Sequence, residues 1–159
     1  MLNKKYSLPF RGVEVVTVDA PAHRRNSYFR HCIDFFLPQG TPIRAARAGI
    51  VVFRESRYSK AFKNEADIDK GNALVLKHAD GEHSIYAHLA YRSVKVKVGE
   101  RVRRGQIVAL SGQTGYAWYP HLHFGVNDAD GNNIPIVFGG DFERKHIEFS
   151  RALKLSRKP

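Results

Sequence analysis

Turn residues interrupt this chain too often for long helices to form. Its 159 residues include 13 glycines and 7 prolines, and helical periodicity between them is scarce, which argues for many short strands. From Thr41 to Glu55 the chain carries a β-branched run, Ile50-Val-Val-Phe53, after Gly49. Asn72 to His78 and His83 to Leu89 flank Ala79-Asp-Gly81, whose Asp-Gly pair is a hairpin signal. Val94-Lys-Val-Lys-Val98 alternates apolar and basic residues, as a half-buried strand does. Gly99, Val102, Gly105 and Gln106 to Leu110 continue the meander to Ser111-Gly112, and His121 to Val126 reads as a further strand before a turn at Asp130-Gly-Asn-Asn133. The fold class expected is therefore mostly β, with antiparallel sheets. Residues 54–70 are polar, charged and aperiodic, and read as a long surface loop. Near the C-terminus, over about 141–155, Phe142, Phe149 and Leu153 fall at helical spacing, so a short helix is expected there.

A chain of this length fits one domain, residues 1–159, with a useful core. Lys and Arg outnumber Asp and Glu by 26 to 15, a net charge of +11, so the surface should attract an anionic polymer. The basic residues, among them Arg24, Arg25, Arg30, Arg44, Arg47, Arg101, Arg103, Arg104 and the tail Arg157-Lys158, form no single helix face, and no nucleic-acid partner is expected. A lone cysteine, Cys32, excludes an internal disulfide framework. The stretch Met1 to Phe10 lacks the apolar run of about 7 to 15 residues that a secretory signal needs, and no window approaches the roughly 18 apolar residues of a membrane span. A monomer is expected.

The chemistry concentrates in Pro120-His-Leu-His-Phe124. Two imidazoles at i and i+2 of a strand share a face, and such a pair can supply two metal ligands, or one ligand and one catalytic base. Asp34 in Cys32-Ile-Asp-Phe-Phe36, His88 in Ile85-Tyr-Ala-His-Leu89 and the run Ser111-Gly-Gln-Thr-Gly115 accompany it. Together with Gly40-Thr-Pro-Ile-Arg-Ala-Ala-Arg-Ala-Gly-Ile-Val51 and Val96-Lys-Val-Gly-Glu-Arg-Val-Arg-Arg-Gly-Gln-Ile107, these motifs resemble the lysostaphin and LytM type zinc metallopeptidases, the M23 peptidase family. The resemblance covers roughly residues 9–127 and leaves 128–159 as a C-terminal extension. It implies antiparallel sheets with an open groove, one Zn²⁺, and an endopeptidase that cleaves peptide cross-links or stems of bacterial peptidoglycan. An anionic cell-wall polymer then fits the positive charge, and the cell envelope or the extracellular space is the location the substrate class implies.

By the same resemblance, Asp34 and His123 are metal ligands, while His88 and His121 face the attacking water and the scissile carbonyl. No His-Glu-x-x-His helix is present, so histidines must carry the proton work. The first ligand departs from the family pattern, because Arg30 stands four residues before Asp34 where a histidine is usual. His23, in Pro21-Ala-His-Arg-Arg-Asn26, is preferred as its replacement and resembles a family variant in which a loop supplies the histidine. His31 is the alternative, although strand parity turns it away from Asp34 unless a bulge intervenes. Cys32 shares parity with Asp34 and reads as a small buried hydrophobe. His78 reads as a turn or surface residue, His83 as cross-strand packing facing away from His88, and His146 as exposed. Gly112 and Gly115 read as turn glycines. Tyr116-Ala-Trp-Tyr119 replaces residues that are commonly small in the family, and can wall the groove or simply pack. Two other readings fit parts of the sequence. A member that kept the fold without the metal would act as a cell-wall binding or amidase-activating module. The run Val96 to Leu110 also resembles a biotinyl or lipoyl carrier hammerhead, but no lysine stands at its turn.

Overall fold

The computed structural model describes residues 5–157. Met1 to Lys4 of the N-terminal stretch and Lys158 of the basic tail lie outside the described residues. Along the chain come β1 (Val15–Val18), α1 (Pro21–Arg25), β2 (Ile33–Phe36), β3 (Pro42–Arg44), β4 (Gly49–Glu55), β5 (Ala61–Phe62), β6 (Asn72–Lys77) and β7 (His83–Leu89). They are followed by β8 (Arg101–Val102), β9 (Ile107–Leu110), β10 (Gly115–Tyr116), β11 (His121–Asn127), β12 (Arg144–Ile147) and α2 (Phe149–Ser156). Among the described residues, no helix is long and apolar enough to cross a membrane.

The main sheet has eight strands in the order β12-β1-β2-β11-β7-β6-β4-β8. Its neighbours are antiparallel except β1 and β12. An antiparallel sheet can keep one face dry and the other open, and alternation along the strands does this here. Phe35, Leu74, Leu76, Tyr86, Leu122 and Phe124 are 0% exposed and make the core face. Burial of each such side chain stabilises the fold by about 1.5 to 3 kcal/mol. Residues between them, Asp34 on β2, His121 and His123 on β11, and Ile85 and Ala87 on β7, take the opposite face. Register locks them together, since His123 pairs with both Asp34 and Ala87.

The C-terminal helix is present but begins only at Phe149, after Glu148 in extended conformation. The residues before it form β12, which pairs in parallel with β1 and covers that edge. Thr17 fixes the pairing: its hydroxyl lies 2.9 Å from His146 Nδ1. Phe149 and Leu153 then pack with Trp118, Phe36, Val18, Tyr119 and Ala152 in a small cluster separate from the main core. Val94 to Val98 does not form a strand. Its burial alternates as far as Val96, but Lys97 to Glu100 turns back with Gly99 at φ 89°, and Val98 is left exposed. The 54–70 segment is partly organised, because Ala61–Phe62 pairs with β10 and Glu65–Asp67 makes a 3₁₀ turn. His78 is buried rather than on the surface, its ring nitrogens meeting Ala48 O at 2.8 Å and Ser84 Oγ at 2.9 Å.

Where β2 lies against β11, Cys32 Sγ fills the space above Gly125. A Cβ at position 125 would stand 2.5 Å from that sulfur. Gly125→Ala is therefore expected to cost about 1 to 3 kcal/mol through overpacking, measured by denaturant unfolding. In a Cys32→Ala background most of that cost should vanish, and an equal cost in both backgrounds would contradict this packing account.

Candidate metal centre

An open groove of about 450 Å³ runs over the polar face of the sheet. One wall is α1 and the turn after it, with His23 and Phe29. The other is Ile68, Tyr116, Trp118, Tyr119 and Phe149. At its floor His23, Asp34 and His123 converge, each offering one donor atom, all within 4.8 Å of one another. Asp34 Oδ1 lies 3.1 Å from His123 Nδ1 and 3.5 Å from His23 Nε2. A tetrahedral zinc with bonds of about 2.1 Å needs donors about 3.4 Å apart, so these residues fit that ion.

Local structure explains each position. His23 sits in α1, started by Pro21 at its first turn, and its Nδ1–H donates to Cys32 O at 3.3 Å. A carbonyl can only accept, so this contact leaves the Nε2 lone pair facing Asp34. His31 is not brought to Asp34. It lies in the turn before β2, where its backbone N–H donates to Asn133 Oδ1 at 2.6 Å. The fold thus brings together all five expected residues, His23, Asp34, His88, His121 and His123, and leaves out the alternative His31.

His88 reaches the groove through a bulge. Asn72 pairs with Leu89 and Ala73 with Ala87, which makes His88 the extra residue of β7. Its φ of 63° is the left-handed value that such a bulge requires. Odd spacing predicted that His83 and His88 face opposite ways; the bulge breaks that parity and turns His88 to the side of His121 and His123. Their ring centroids lie 4.5 Å and 6.0 Å from that of His88. The Gly-rich run supplies the anchor, as Thr114 O accepts from His88 Nδ1–H at 2.7 Å. Gly112 lets that run press on β7, because a Cβ there would meet Ala90 backbone at 2.8 Å. Likewise His121 Nδ1–H donates to Tyr119 O at 2.8 Å, and its Nε2 stands 3.6 Å from Asp34 Oδ2. Both imidazoles are thereby fixed as Nδ1–H tautomers, leaving Nε2 as the basic atom.

The electrostatics follow from burial and this crowding. Burial and then the neighbouring His121 and His123 lower the His88 pKa to about 3, and burial also lowers His121 and His23. All three are neutral at pH 7. For Asp34, burial disfavours the carboxylate, but the neighbouring His121, His123 and His23 outweigh it and lower its pKa; with His121 and His23 neutral, the protonated His123 is the partner that holds it ionised at pH 7. For His123, burial opposes the charge while the Asp34 hydrogen bond and the Cys32 thiol prevail, raising its pKa to about 10. Asp34 and the protonated His123 form an ion pair of zero net charge, and a metal cation would take the place of the His123 proton.

Sequence reasoning did not find the carbonyls of Cys32, Thr114 and Tyr119, which set the tautomers. Backbone acceptors leave no residue-type signal. It also missed Phe149 as groove lining: helical spacing marked its apolar stripe but not the surface that the stripe covers.

The arrangement has counterparts. The model of Peptidase family M23 matches residues 28–135, so His23 lies just upstream of the matched segment. The chain is 42% identical over 93 residues to the glycyl-glycine endopeptidase ALE-1 of Staphylococcus capitis, covering 58% of this chain and 23% of that protein. It is 35% identical over 92 residues to the DD-carboxypeptidase/endopeptidase Mpg of Neisseria meningitidis, covering 58% of this chain and 18% of that protein. The chain thus spans about a fifth of the length of these curated relatives. Among solved structures, a catalytic-domain mutant of the prophage-encoded M23 protein EnpA from Enterococcus faecalis aligns with a TM-score of 0.58 at 26% identity, over 80% of this chain and 93% of that one. The catalytic domain of lysostaphin from Staphylococcus simulans aligns at 0.53 and 28% identity, over 82% and 84%. With a family match over most of its length and the same fold, the chain belongs to Peptidase family M23.

Proposed function

We propose that this protein is a zinc-dependent endopeptidase that cleaves peptide cross-links or stems of bacterial peptidoglycan. The observation that carries this reading is the convergence, in one open groove, of three donors from His23, Asp34 and His123 with two neutral imidazoles whose basic Nε2 atoms are free. The relatives named as endopeptidases, ALE-1 and Mpg, support the reaction class. A zinc ion held by these donors supplies Lewis acidity and lowers the pKa of its water to about 7.

The chain's own groups do the rest. His88 and His121, neutral at pH 7, can accept the proton of the attacking water at Nε2 and return a proton to the leaving amine. Thr114 O and Tyr119 O steady the imidazolium that forms, since each already accepts its Nδ1–H. The groove lining can align the peptide across the sheet. The cell envelope or the extracellular space is where such a substrate is met. A metal-free binding or activating module is disfavoured, because no group needed for hydrolysis is missing from the groove.

The test is release of peptides from purified peptidoglycan. Chelation is expected to abolish it and Zn²⁺ to restore it. Hydrolysis indifferent to chelation, or none with zinc supplied, would contradict the reading.

A further inference from the structure

The two imidazoles present lone pairs, not protons, to the groove, because each spends its only N–H on a backbone carbonyl. Until one of them has taken a proton, neither can donate to the carbonyl oxygen of a bound peptide. A group that keeps a donor hydrogen throughout has to come from elsewhere. Tyr119 provides it. Its side chain lines the groove while the residue is only 2% exposed. Among the described residues its hydroxyl has no hydrogen-bond partner, and it is not one of the sealed polar atoms, so it keeps solvent access on a residue that lines the groove.

The ring is held firmly. Its centroid lies 4.7 Å from that of His121, 6.0 Å from that of Phe36 and 5.6 Å from that of Phe149. Burial, with the charges of Asp34 and Asp19, raises the phenol pKa, so the proton stays on oxygen at all working pH values. Tyrosines this enclosed usually find a protein partner for the hydroxyl; here the only partners left to it are solvent or a molecule in the groove. A ligand in the groove is the partner on offer. We propose that Tyr119 is a further catalytic residue, its hydroxyl donating a hydrogen bond to the oxygen of the scissile carbonyl as negative charge develops there. The proton remains on the phenol and no bond is made or broken by it. The inference rests on the endopeptidase reading above and assigns a residue to it.

The test is Tyr119→Phe in the full chain, beside the wild type, with zinc. On a soluble cross-link peptide, kcat should fall about 10²-fold, as for loss of one oxyanion donor, while KM stays within about twofold. Zinc content and the unfolding midpoint should not move. Affinity for a phosphinic peptide, which carries the tetrahedral oxyanion, should fall by a similar factor in calorimetry, while affinity for the uncleaved product peptide is kept. An unchanged kcat in an active background overturns the role of Tyr119 alone. A loss of kcat that travels with zinc loss or a lower midpoint assigns the hydroxyl a merely structural part and also overturns it. A wild type that is inert with zinc refutes the endopeptidase reading instead; in that event equal phosphinic-peptide affinities in the two proteins still refute the Tyr119 donor.

Discussion

His23→Ala should lower zinc affinity by at least about 10²-fold, more than the 10- to 100-fold typical of losing an outer-shell partner, and should remove nearly all hydrolysis at limiting zinc. The reason is geometric. Asp34 and His123 alone would leave two positions of a tetrahedral ion open, and His23 Nε2 is the third nitrogen or oxygen donor at that point. His31→Ala is the matched control. Its structural contact is a backbone N–H to Asn133 Oδ1, which alanine retains, so zinc affinity and rate should stay within about twofold. The two variants are read by competitive chelator titration. The reverse ranking would transfer the role to His31 and require the turn before β2 to refold.

His88→Ala and His121→Ala should keep the metal and lose about 10² to 10³ in kcat each. Neither belongs to the converging donor set, and both line the groove with their ring centroids 4.5 Å apart. At position 88 alanine would also have to hold a φ of 63°, a conformation that histidine and asparagine adopt more readily than alanine. His88→Asn tolerates that conformation better, and it should show the same rate loss with a smaller fall in stability. Zinc retention measured by atomic absorption beside the kinetics separates base from ligand: if either variant loses zinc as His123→Ala does, the roles are wrong.

Much of this was legible because it follows from period-two alternation. His121 and His123 had to share a face, Leu122 and Phe124 had to fill the core between them, and Asp80-Gly81 had to close the β6 to β7 hairpin. What was not legible depends on breaks in that period. A left-handed bulge at His88 has no residue-type signal when the residue is not glycine, and it reversed the facing inferred from spacing. The strand before α2 was missed because Arg144 to His146 is exposed and polar; it is ordered by pairing with β1, not by its own pattern. Val94 to Val98 erred the other way, having the right pattern but a turn where its ladder would continue. The choice between His23 and His31 turned on where β2 begins. Sequence parity argues about a strand, and His31 lies outside it.

The central claim is that one zinc sits on His23, Asp34 and His123. Zinc K-edge absorption of the stoichiometric complex addresses it directly. The account predicts one zinc per chain in a shell of nitrogen and oxygen at about 2.0 to 2.2 Å, with scattering from two imidazoles in the wild type and from one in His23→Ala. A sulfur at about 2.3 Å, which would bring in Cys32, or two imidazoles persisting in His23→Ala, would contradict it.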